Sequence, residues 1–180
     1  VKTIDLSGGK GITKVEHKED LSPAIKNALA LSREGRIVVE EFVEGTQHSF
    51  STFIRNQKVI FNFSDNEFSY LNPFFVSTSA APAMNIDLVR QDLINITENI
   101  ASSLSLKDGI VHHQYLLNHG KLSIIETTRR CSGDFYPFVV DYATNVDWAR
   151  WIVKASVGQD CSDFPSITQN KFCGRHCIMA

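Results

Sequence analysis

The chain has no large excess of either charge and no long hydrophobic run. Its 180 residues include 18 lysines and arginines against 20 aspartates and glutamates, which gives a formal net charge of −2. A chain this close to neutral offers no basic stripe to neutralise nucleic-acid phosphates, so we expect no nucleic acid among its partners. No apolar run approaches the ~18 residues of a transmembrane helix, so we expect no membrane among them either.

Cysteine is scarce, and the sequence shows no secretory leader. The four cysteines are Cys131, Cys161, Cys173 and Cys177, and we expect free thiols in a cytoplasmic protein. Cys173 and Cys177 enclose Gly-Arg-His, which resembles half of a zinc site. No second pair of Cys or His lies at a suitable spacing, so we expect a terminal strand there, with the thiols packed as small apolar groups.

The chain also lacks an initiator methionine and begins with a predicted strand over residues 1–6. A glycine-rich loop follows directly, made of Ser7, Gly8, Gly9, Lys10 and Gly11. Such a loop folds back closely and points successive N–H groups at one spot, where an anion such as a nucleotide phosphate fits. Residues 12–15 alternate again, which predicts a strand–loop–strand hairpin. A functional strand at the first residue leads us to expect a piece of a longer protein.

The loop matches neither of two common phosphate-binding motifs. A P-loop needs Gly-Lys-Ser/Thr before a helix, whereas Gly11 follows Gly9 and Lys10 here. A dinucleotide fingerprint needs a third glycine where this chain has Lys14. A structural tight turn explains the same glycines, so the loop alone leaves both interpretations open.

Hydrophobic periodicity along the rest of the chain predicts an α+β fold. Helical spacing predicts a helix after Asp20, a second from Ile86 to Leu104, and two more within residues 137–157. A continuous apolar run closed by acids predicts a buried strand over 36–43, and residues 74–83 look extended. Alternation predicts hairpins formed by 49–55 with 59–64 and by 109–117 with 121–128. We therefore expect antiparallel sheets with helices packed on them.

The second hairpin carries a set of candidate ligands. Alternate residues of a strand share a face, so Glu126, Thr128 and Arg130 are expected to point the same way. Gln114 lies on the partner strand. Oxygen ligands of this kind suit Mg²⁺, and the guanidinium suits an anion. A solvated strand face with incidental charges is the alternative that the hairpin alone leaves open.

Taken in chain order, these segments resemble the ATP-grasp superfamily over nearly the whole sequence. Lys2 matches the lysine that such enzymes place on the α/β-phosphates, and residues 7–11 match the loop that closes over the triphosphate. The ribose-binding acid of the family falls at Gln47. The segment that joins the two lobes matches Glu40, Glu41, Phe42, Val43, Glu44 and Gly45. Backbone groups of Glu41 and Val43 would bond the adenine edge.

The resemblance also assigns the second hairpin. Gln114 and Glu126 match the pair of metal ligands, and carbamoyl phosphate synthetases are similar to this chain in using glutamine at the first position. Thr128 stands where an asparagine usually completes the Mg²⁺ site. Arg130 matches the arginine that faces the transferred phosphoryl group. Gln47, Gln114 and Thr128 each keep an oxygen while losing charge or reach, which implies weaker binding of metal or nucleotide.

The resemblance implies an ATP-grasp fold with a partial nucleotide lobe over residues 1–45 and a catalytic lobe with the metal site over 46–180. It implies a ligase that uses ATP and Mg²⁺, with Mn²⁺ able to substitute. A small carboxylate would attack the γ-phosphate, and an amine or a thiol would open the resulting acyl phosphate. Lys2 and Arg130 would supply fixed cations.

Members of the family also have an N-terminal domain before the nucleotide lobe, and the resemblance begins after that domain, at Val1. We therefore expect that domain elsewhere in the same protein and expect this piece to be inactive alone. An unpaired strand edge beside residues 1–6 leads us to expect a homo-oligomer. A non-catalytic ATP-binding or regulatory domain, and a structural module in which the glycine hairpin is only a turn, are the alternative functions.

Overall fold

The computed structural model describes residues 1–70, 72–133, 135–167 and 171–178, and the chain divides into two compact units. Unit 1 comprises Val1–Glu44 and Ser69–Ser77, and unit 2 comprises Gly45–Phe68 and Thr78–Ala180. Residues 69–77 therefore belong with the first segment of the chain although they follow a strand of unit 2. No sequence pattern predicts this excursion.

Unit 1 contains one helix and two very short strands. Strand β1 is Lys2–Thr3 and pairs antiparallel with β2, Ile37–Val38. Helix α1 spans Leu21–Leu31 after a 3-10 turn at Lys18–Asp20, which confirms the helix predicted after Asp20.

The strands predicted over residues 1–6 and 36–43 are wrong in length, since each is only two residues long. The physical reason lies at Asp5. Its Oδ2 accepts hydrogen bonds from Ser32 Oγ at 3.0 Å and from the backbone N–H of Glu34 at 2.7 Å. The chain after Thr3 thus satisfies the end of α1 instead of continuing the strand ladder.

The strand predicted over residues 12–15 does not form, but Thr13 pairs with the first residue. Val1 and Thr13 exchange two backbone hydrogen bonds, at 3.0 and 2.9 Å. Thr13 therefore pairs with Val1, and β2 pairs with Lys2 and Thr3. The edge expected beside residues 1–6 is thus paired at Val1, and self-association stays a prediction.

Unit 2 contains an antiparallel sheet of six strands in the order β7-β6-β3-β4-β5-β8. The strands are β3 (Thr46–Arg55), β4 (Lys58–Phe68), β5 (Thr78–Ala81), β6 (Gly109–Asn118), β7 (Lys121–Thr128) and β8 (Cys173–His176). Both predicted hairpins are confirmed, as is the terminal strand, and the four cysteines are free. Residues Asn56, Gln57, His119 and Gly120 have positive φ, as tight two-residue hairpin turns require.

Helices cover both faces of this sheet. Helix α2, Ile86–Ser103, packs its buried Leu93 with Phe50 and Tyr115 on one face. Helices α3, Tyr136–Thr144, and α4, Trp148–Ser156, pack on the other face. These three helices confirm the predicted ones. Among the residues described, no helix is long and apolar enough to cross a membrane.

The face under α3 and α4 changes character along strand β4. Phe61 and Phe63 point into the helix-covered core, and Asp65 and Glu67 follow on the same face because side chains alternate along a strand. Strand β4 thus runs four residues beyond its predicted end at Ser64. This polar end of the face is where the candidate site of unit 2 lies.

Phe53→Ala should destabilise unit 2 strongly, because Phe53 is fully buried and its ring contacts Trp148, Trp151 and Phe164. We expect a loss of about 3–5 kcal/mol in the free energy of unfolding, measured by urea denaturation. Phe138→Ala is the matched control, since Phe138 is 67% exposed, and its cost should stay within about 0.5 kcal/mol. Equal effects of the two substitutions would contradict this core assignment.

Candidate functional site

The glycine-rich loop of unit 1 is a set of tight turns. Gly8, Gly9 and Gly11 have φ values of 68°, 74° and 75°, which disfavour any side chain. A Cβ atom on Gly9 would lie 2.8 Å from the Cβ of Phe74, and one on Gly11 would lie 2.8 Å from Thr3 Cγ2. Packing within unit 1 therefore requires glycine at positions 9 and 11. The phosphate-binding role of the loop stays a prediction.

The predicted lysine and the predicted adenine-binding segment are linked within unit 1. Lys2 Nζ forms an ion pair with Glu40 Oε1 at 2.6 Å. Lys14 Nζ lies 3.5 Å from Glu44 Oε1 and 4.6 Å from the ring centre of Phe42. The ammonium groups of Lys2 and Lys14 thus hold the segment that follows β2 in place. An anion arriving at Lys2 would meet an ammonium group that already has a carboxylate partner.

The predicted metal ligands of unit 2 lie together on the second hairpin. Gln114 is directly opposite Glu126, and His112 is opposite Thr128, so the amide, the carboxylate and the hydroxyl share one face. Glu126 is exposed. Thr128 Oγ1 donates to the backbone oxygen of Arg130 at 3.3 Å, which leaves its lone pairs as acceptors.

These donors fit a hard cation. A carboxylate, an amide carbonyl and a hydroxyl offer oxygen only, which is the chemistry that Mg²⁺ prefers. Within residues 1–70, 72–133, 135–167 and 171–178, no group of three or more His, Cys, Asp or Glu side chains has the geometry of a metal site. A mixed oxygen site that shares the cation with phosphate and water needs no such group.

The sequence pattern missed a pair of buried carboxylates beside these residues. Asp65 is 0% exposed and Glu67 is 6% exposed, both on β4. Glu67 Oε2 accepts one hydrogen bond from Gln47 Nε2 and one from Gln114 Nε2, both at 2.8 Å. The available signal was the alternation from Phe61 to Glu67, which continues one face of the strand into polar residues.

Burial dominates the electrostatics of this pair. Burial raises the pKa of Asp65 to about 6, although the hydroxyls of Ser49 and Ser79 and the charge of Arg175 lower it. Burial, and then the charge of Asp65, raise the pKa of Glu67 to about 7. Arg175 comes from β8 and its Nε donates to Ser79 Oγ at 3.1 Å. No local pattern in the sequence connects Arg175 with these acids.

A chain of hydrogen bonds runs from Asp65 through the buried polar face. Asp65 Oδ1 accepts from Ser49 Oγ, which lies 3.2 Å from the hydroxyl of Tyr136. That hydroxyl lies 2.9 Å from Ser51 Oγ, and Ser51 Oγ lies 2.7 Å from His112 Nδ1. The start of α3 is thereby fixed on the sheet by polar contacts.

The loop after β7 is hydrogen-bonded to His112, the last residue of this series of hydrogen bonds. His112 Nε2 lies 3.0 Å from Ser132 Oγ. Burial, followed by the nearby charges of His113, Arg130 and Arg175, lowers the pKa of His112 to about 3, so its ring is neutral at physiological pH. Arg130 is exposed and donates from Nη1 to the backbone oxygen of Cys131 at 3.2 Å.

Comparison with known proteins gives one family and one fold. A family model described as an ATP-grasp domain matches residues 1–137. The large chain of carbamoyl phosphate synthase from Clostridium perfringens (strain SM101 / Type A) is 25% identical over 137 residues, which cover 73% of this chain and 12% of that protein. The chain thus spans a small part of the curated relative.

Solved structures share the fold at low identity. The L-amino acid ligase from Bacillus licheniformis is 18% identical with a TM-score of 0.76, over 94% of this chain and 45% of that one. The biotin carboxylase domain dimer of the 2-oxoglutarate carboxylase from Hydrogenobacter thermophilus, a complex with MgADP, ADP and bicarbonate, is 18% identical with a TM-score of 0.75. That match covers 96% of this chain and 39% of the other. The fold is therefore the predicted ATP-grasp fold.

Glu67→Gln removes an acid whose pKa is raised by folding, to about 7 from 4.5. Its contribution to stability is fully present below the unfolded pKa and is lost as the pH rises through about 7. We therefore expect wild type to lose stability relative to Glu67→Gln between about pH 5 and about pH 8, by on the order of 2 kcal/mol. Urea denaturation across that range measures the difference.

Glu98→Gln is the matched control for this experiment. The hydrogen bond from Lys58 lowers the pKa of Glu98, so its contribution is lost only as the pH falls below the ordinary range of a glutamate. The difference between wild type and this control should stay flat over the same interval. If the stability of wild type relative to Glu67→Gln stays constant or increases as the pH rises, the raised pKa of Glu67 is contradicted.

Proposed function

Because this chain belongs to the ATP-grasp domain family, we propose that the protein containing it is an ATP- and Mg²⁺-dependent ligase. It would join a small carboxylate to an amine or a thiol. The observation that carries the proposal is the register of the second hairpin of unit 2, in which Gln114 is opposite Glu126 and Thr128 follows on the same face. This set of oxygen donors is suited to a cation shared with phosphate groups.

The residues of this hairpin would act as follows. The carboxylate of Glu126, the amide oxygen of Gln114 and the hydroxyl of Thr128 would hold Mg²⁺, which when bound neutralises charge on the phosphate oxygens. Arg130 would place a fixed positive charge beside the transferred phosphoryl group. Mn²⁺ accepts the same oxygen ligands and would replace Mg²⁺.

The nucleotide contacts would come from the remaining predicted residues. Lys2 and the N–H groups of the glycine-rich loop would bind the phosphates, with Lys2 released from Glu40 or shared with it. Backbone groups of Glu41 and Val43 would bond the adenine edge. Gln47 would bond a ribose hydroxyl in place of a carboxylate. The ion pairs of Lys2 and Lys14 support this assignment, because they hold the segment after β2 in a defined position.

The proposed reaction has two steps. A carboxylate oxygen of the substrate attacks the γ-phosphorus of ATP, the bond to the β,γ-bridging oxygen breaks, and ADP leaves. The nitrogen or sulfur nucleophile then attacks the acyl carbon and releases phosphate. Positioning and fixed charge supply most of the rate enhancement in phosphoryl transfer. The proposed reaction therefore needs cationic and metal-binding side chains from this chain.

A non-catalytic ATP-binding domain is the second candidate function. Gln47, Gln114 and Thr128 are all uncharged where a carboxylate or a stronger ligand would bind metal or ribose more tightly, and this observation favours binding without turnover. Both functions require nucleotide binding. Only the ligase requires ADP release that depends on a carboxylate and a nucleophile.

Lys2→Ala in the full-length protein should raise the dissociation constant for ATP about tenfold, since one charge-assisted contact of ~1.5 kcal/mol is lost. Isothermal titration with ATP and Mg²⁺ measures the change. Lys26→Ala is the control, because Lys26 is an exposed lysine of α1 and is not among the predicted ligands. Unchanged affinity in Lys2→Ala would remove the opening strand from the nucleotide site.

Glu126→Gln should leave the fold intact and abolish Mg²⁺-dependent turnover, because it removes the one carboxylate of the proposed metal site. The readout is ADP release by the full-length protein over a panel of small carboxylates with amines or thiols. Asp92→Asn neutralises an exposed acid of α2 and should have no effect. Near wild-type turnover in Glu126→Gln would put the metal site elsewhere.

A further inference from the structure

One oxygen of Glu67 holds two glutamine side chains. Glu67 Oε2 accepts hydrogen bonds from Gln47 Nε2 and from Gln114 Nε2, each at 2.8 Å. Both hydrogen bonds end on the same carboxylate oxygen, so it is the amide nitrogen of each glutamine, and not its oxygen, that faces Glu67. The oxygen of each planar amide group is then directed away from Glu67.

Strand order decides where the oxygen of Gln114 is directed. Strand β6, which carries Gln114, lies between β7 and β3, and Glu67 on β4 is reached across β3. The amide nitrogen of Gln114 is therefore held on the side of β3 and β4. Its oxygen is left on the side of β7, where Glu126 lies directly opposite Gln114.

We propose that Glu67 is a positioning residue, which fixes the amide oxygen of Gln114 toward the cation held by Glu126 and makes Gln47 an acceptor for a nucleotide hydroxyl. This inference rests on the proposed function. A free amide presents nitrogen or oxygen with similar ease, and its nitrogen would repel a divalent cation. Holding the nitrogen on Glu67 excludes the wrong orientation before the cation arrives.

The contact also determines which residue can occupy position 114. Gln114→Glu would add a formally stronger metal ligand, but it would place a second carboxylate against Glu67, which is only 6% exposed. Two buried anionic oxygens at hydrogen-bond distance repel each other strongly. We therefore infer that glutamine at 114 and glutamate at 67 act as a matched pair. Exchanging the two residues preserves the match, whereas Gln114→Glu alone, or loss of the acceptor oxygen at position 67, destroys it.

The first test observes the amide groups without metal or nucleotide. Glu67→Met removes the acceptor at similar length, and Glu67→Gln keeps one acceptor oxygen. In ¹H–¹⁵N spectra of the chain, we expect Glu67→Met to lose at least about tenfold of the exchange protection of the side-chain NH₂ groups of Gln47 and Gln114. Glu67→Gln should retain most of it. Backbone signals report whether each variant is folded.

Glu98→Met is the matched control for the loss of a carboxylate that accepts two hydrogen bonds. Glu98 accepts from Lys58 Nζ at 2.7 Å and from the backbone N–H of Val59 at 3.1 Å, outside the candidate site. It should leave the two glutamine side chains unchanged. Unprotected NH₂ groups in wild type, or protection that survives in Glu67→Met, would overturn the proposal.

The second test measures the affinity for Mn²⁺ in the presence of ADP, by electron paramagnetic resonance. Glu67→Met should weaken Mn²⁺ binding about tenfold, the usual cost of losing a residue that orients a metal ligand, and Glu67→Gln should restore most of it. Gln114→Glu should also bind Mn²⁺ more weakly than wild type. The exchanged variant Glu67→Gln with Gln114→Glu should recover, because one amide again faces one carboxylate.

The outcomes separate this inference from the proposed function. Wild type that binds no Mn²⁺ with ADP would contradict the proposed function, and the inference would fail with it. Wild type that binds, with Glu67→Met equal to wild type, would contradict the inference alone. Tighter binding by Gln114→Glu while Glu67 is present would do the same, and this variant keeps the test valid if Glu67→Met does not fold.

Discussion

The structure of unit 2 depends on one constraint: a single face of its sheet must be apolar under two helices and polar beyond them. Strand β4 meets it by alternation, with Phe61 and Phe63 in the core and Asp65 and Glu67 further along the same face. Strand β3 does the same in the opposite direction, since Phe53 packs under the helices while Ser49 and Gln47 lie among the acids. The core fixes the strand register, and the register fixes the site.

Burying two carboxylates is costly, and the neighbouring side chains offset that cost with hydrogen bonds. Asp65 accepts from Ser49, and Glu67 accepts from two amides. Burial nevertheless raises the pKa of both acids, to about 6 and about 7. The buried acids thus lower the stability of the fold but maintain a network of defined donors and acceptors next to Gln114. A site that must orient oxygen ligands benefits from this rigidity.

Much of this fold is predictable from the sequence, for reasons that differ by element. Helix α2 and both hairpins follow from strong periodicity and from turn residues that accept positive φ. The strands of unit 1 do not, because the hydrogen bonds of Asp5 to the residues after α1 end β1 early. Alternation along the second hairpin and the family resemblance both predict Gln114 and Glu126 as ligands. Neither predicts Glu67 or Arg175, and Arg175 comes from a strand that is distant in the sequence.

The central claim is that the second hairpin of unit 2 binds a divalent cation together with a nucleotide. Paramagnetic broadening by substoichiometric Mn²⁺ with ADP tests it most directly, because the effect depends on distance from the ion. The account predicts that the ¹H–¹⁵N signals of Gln114, Glu126 and Thr128 broaden first, while those of the turn at Asn56 and Gln57 stay sharp. Sharp signals at the hairpin with broadening elsewhere would contradict it.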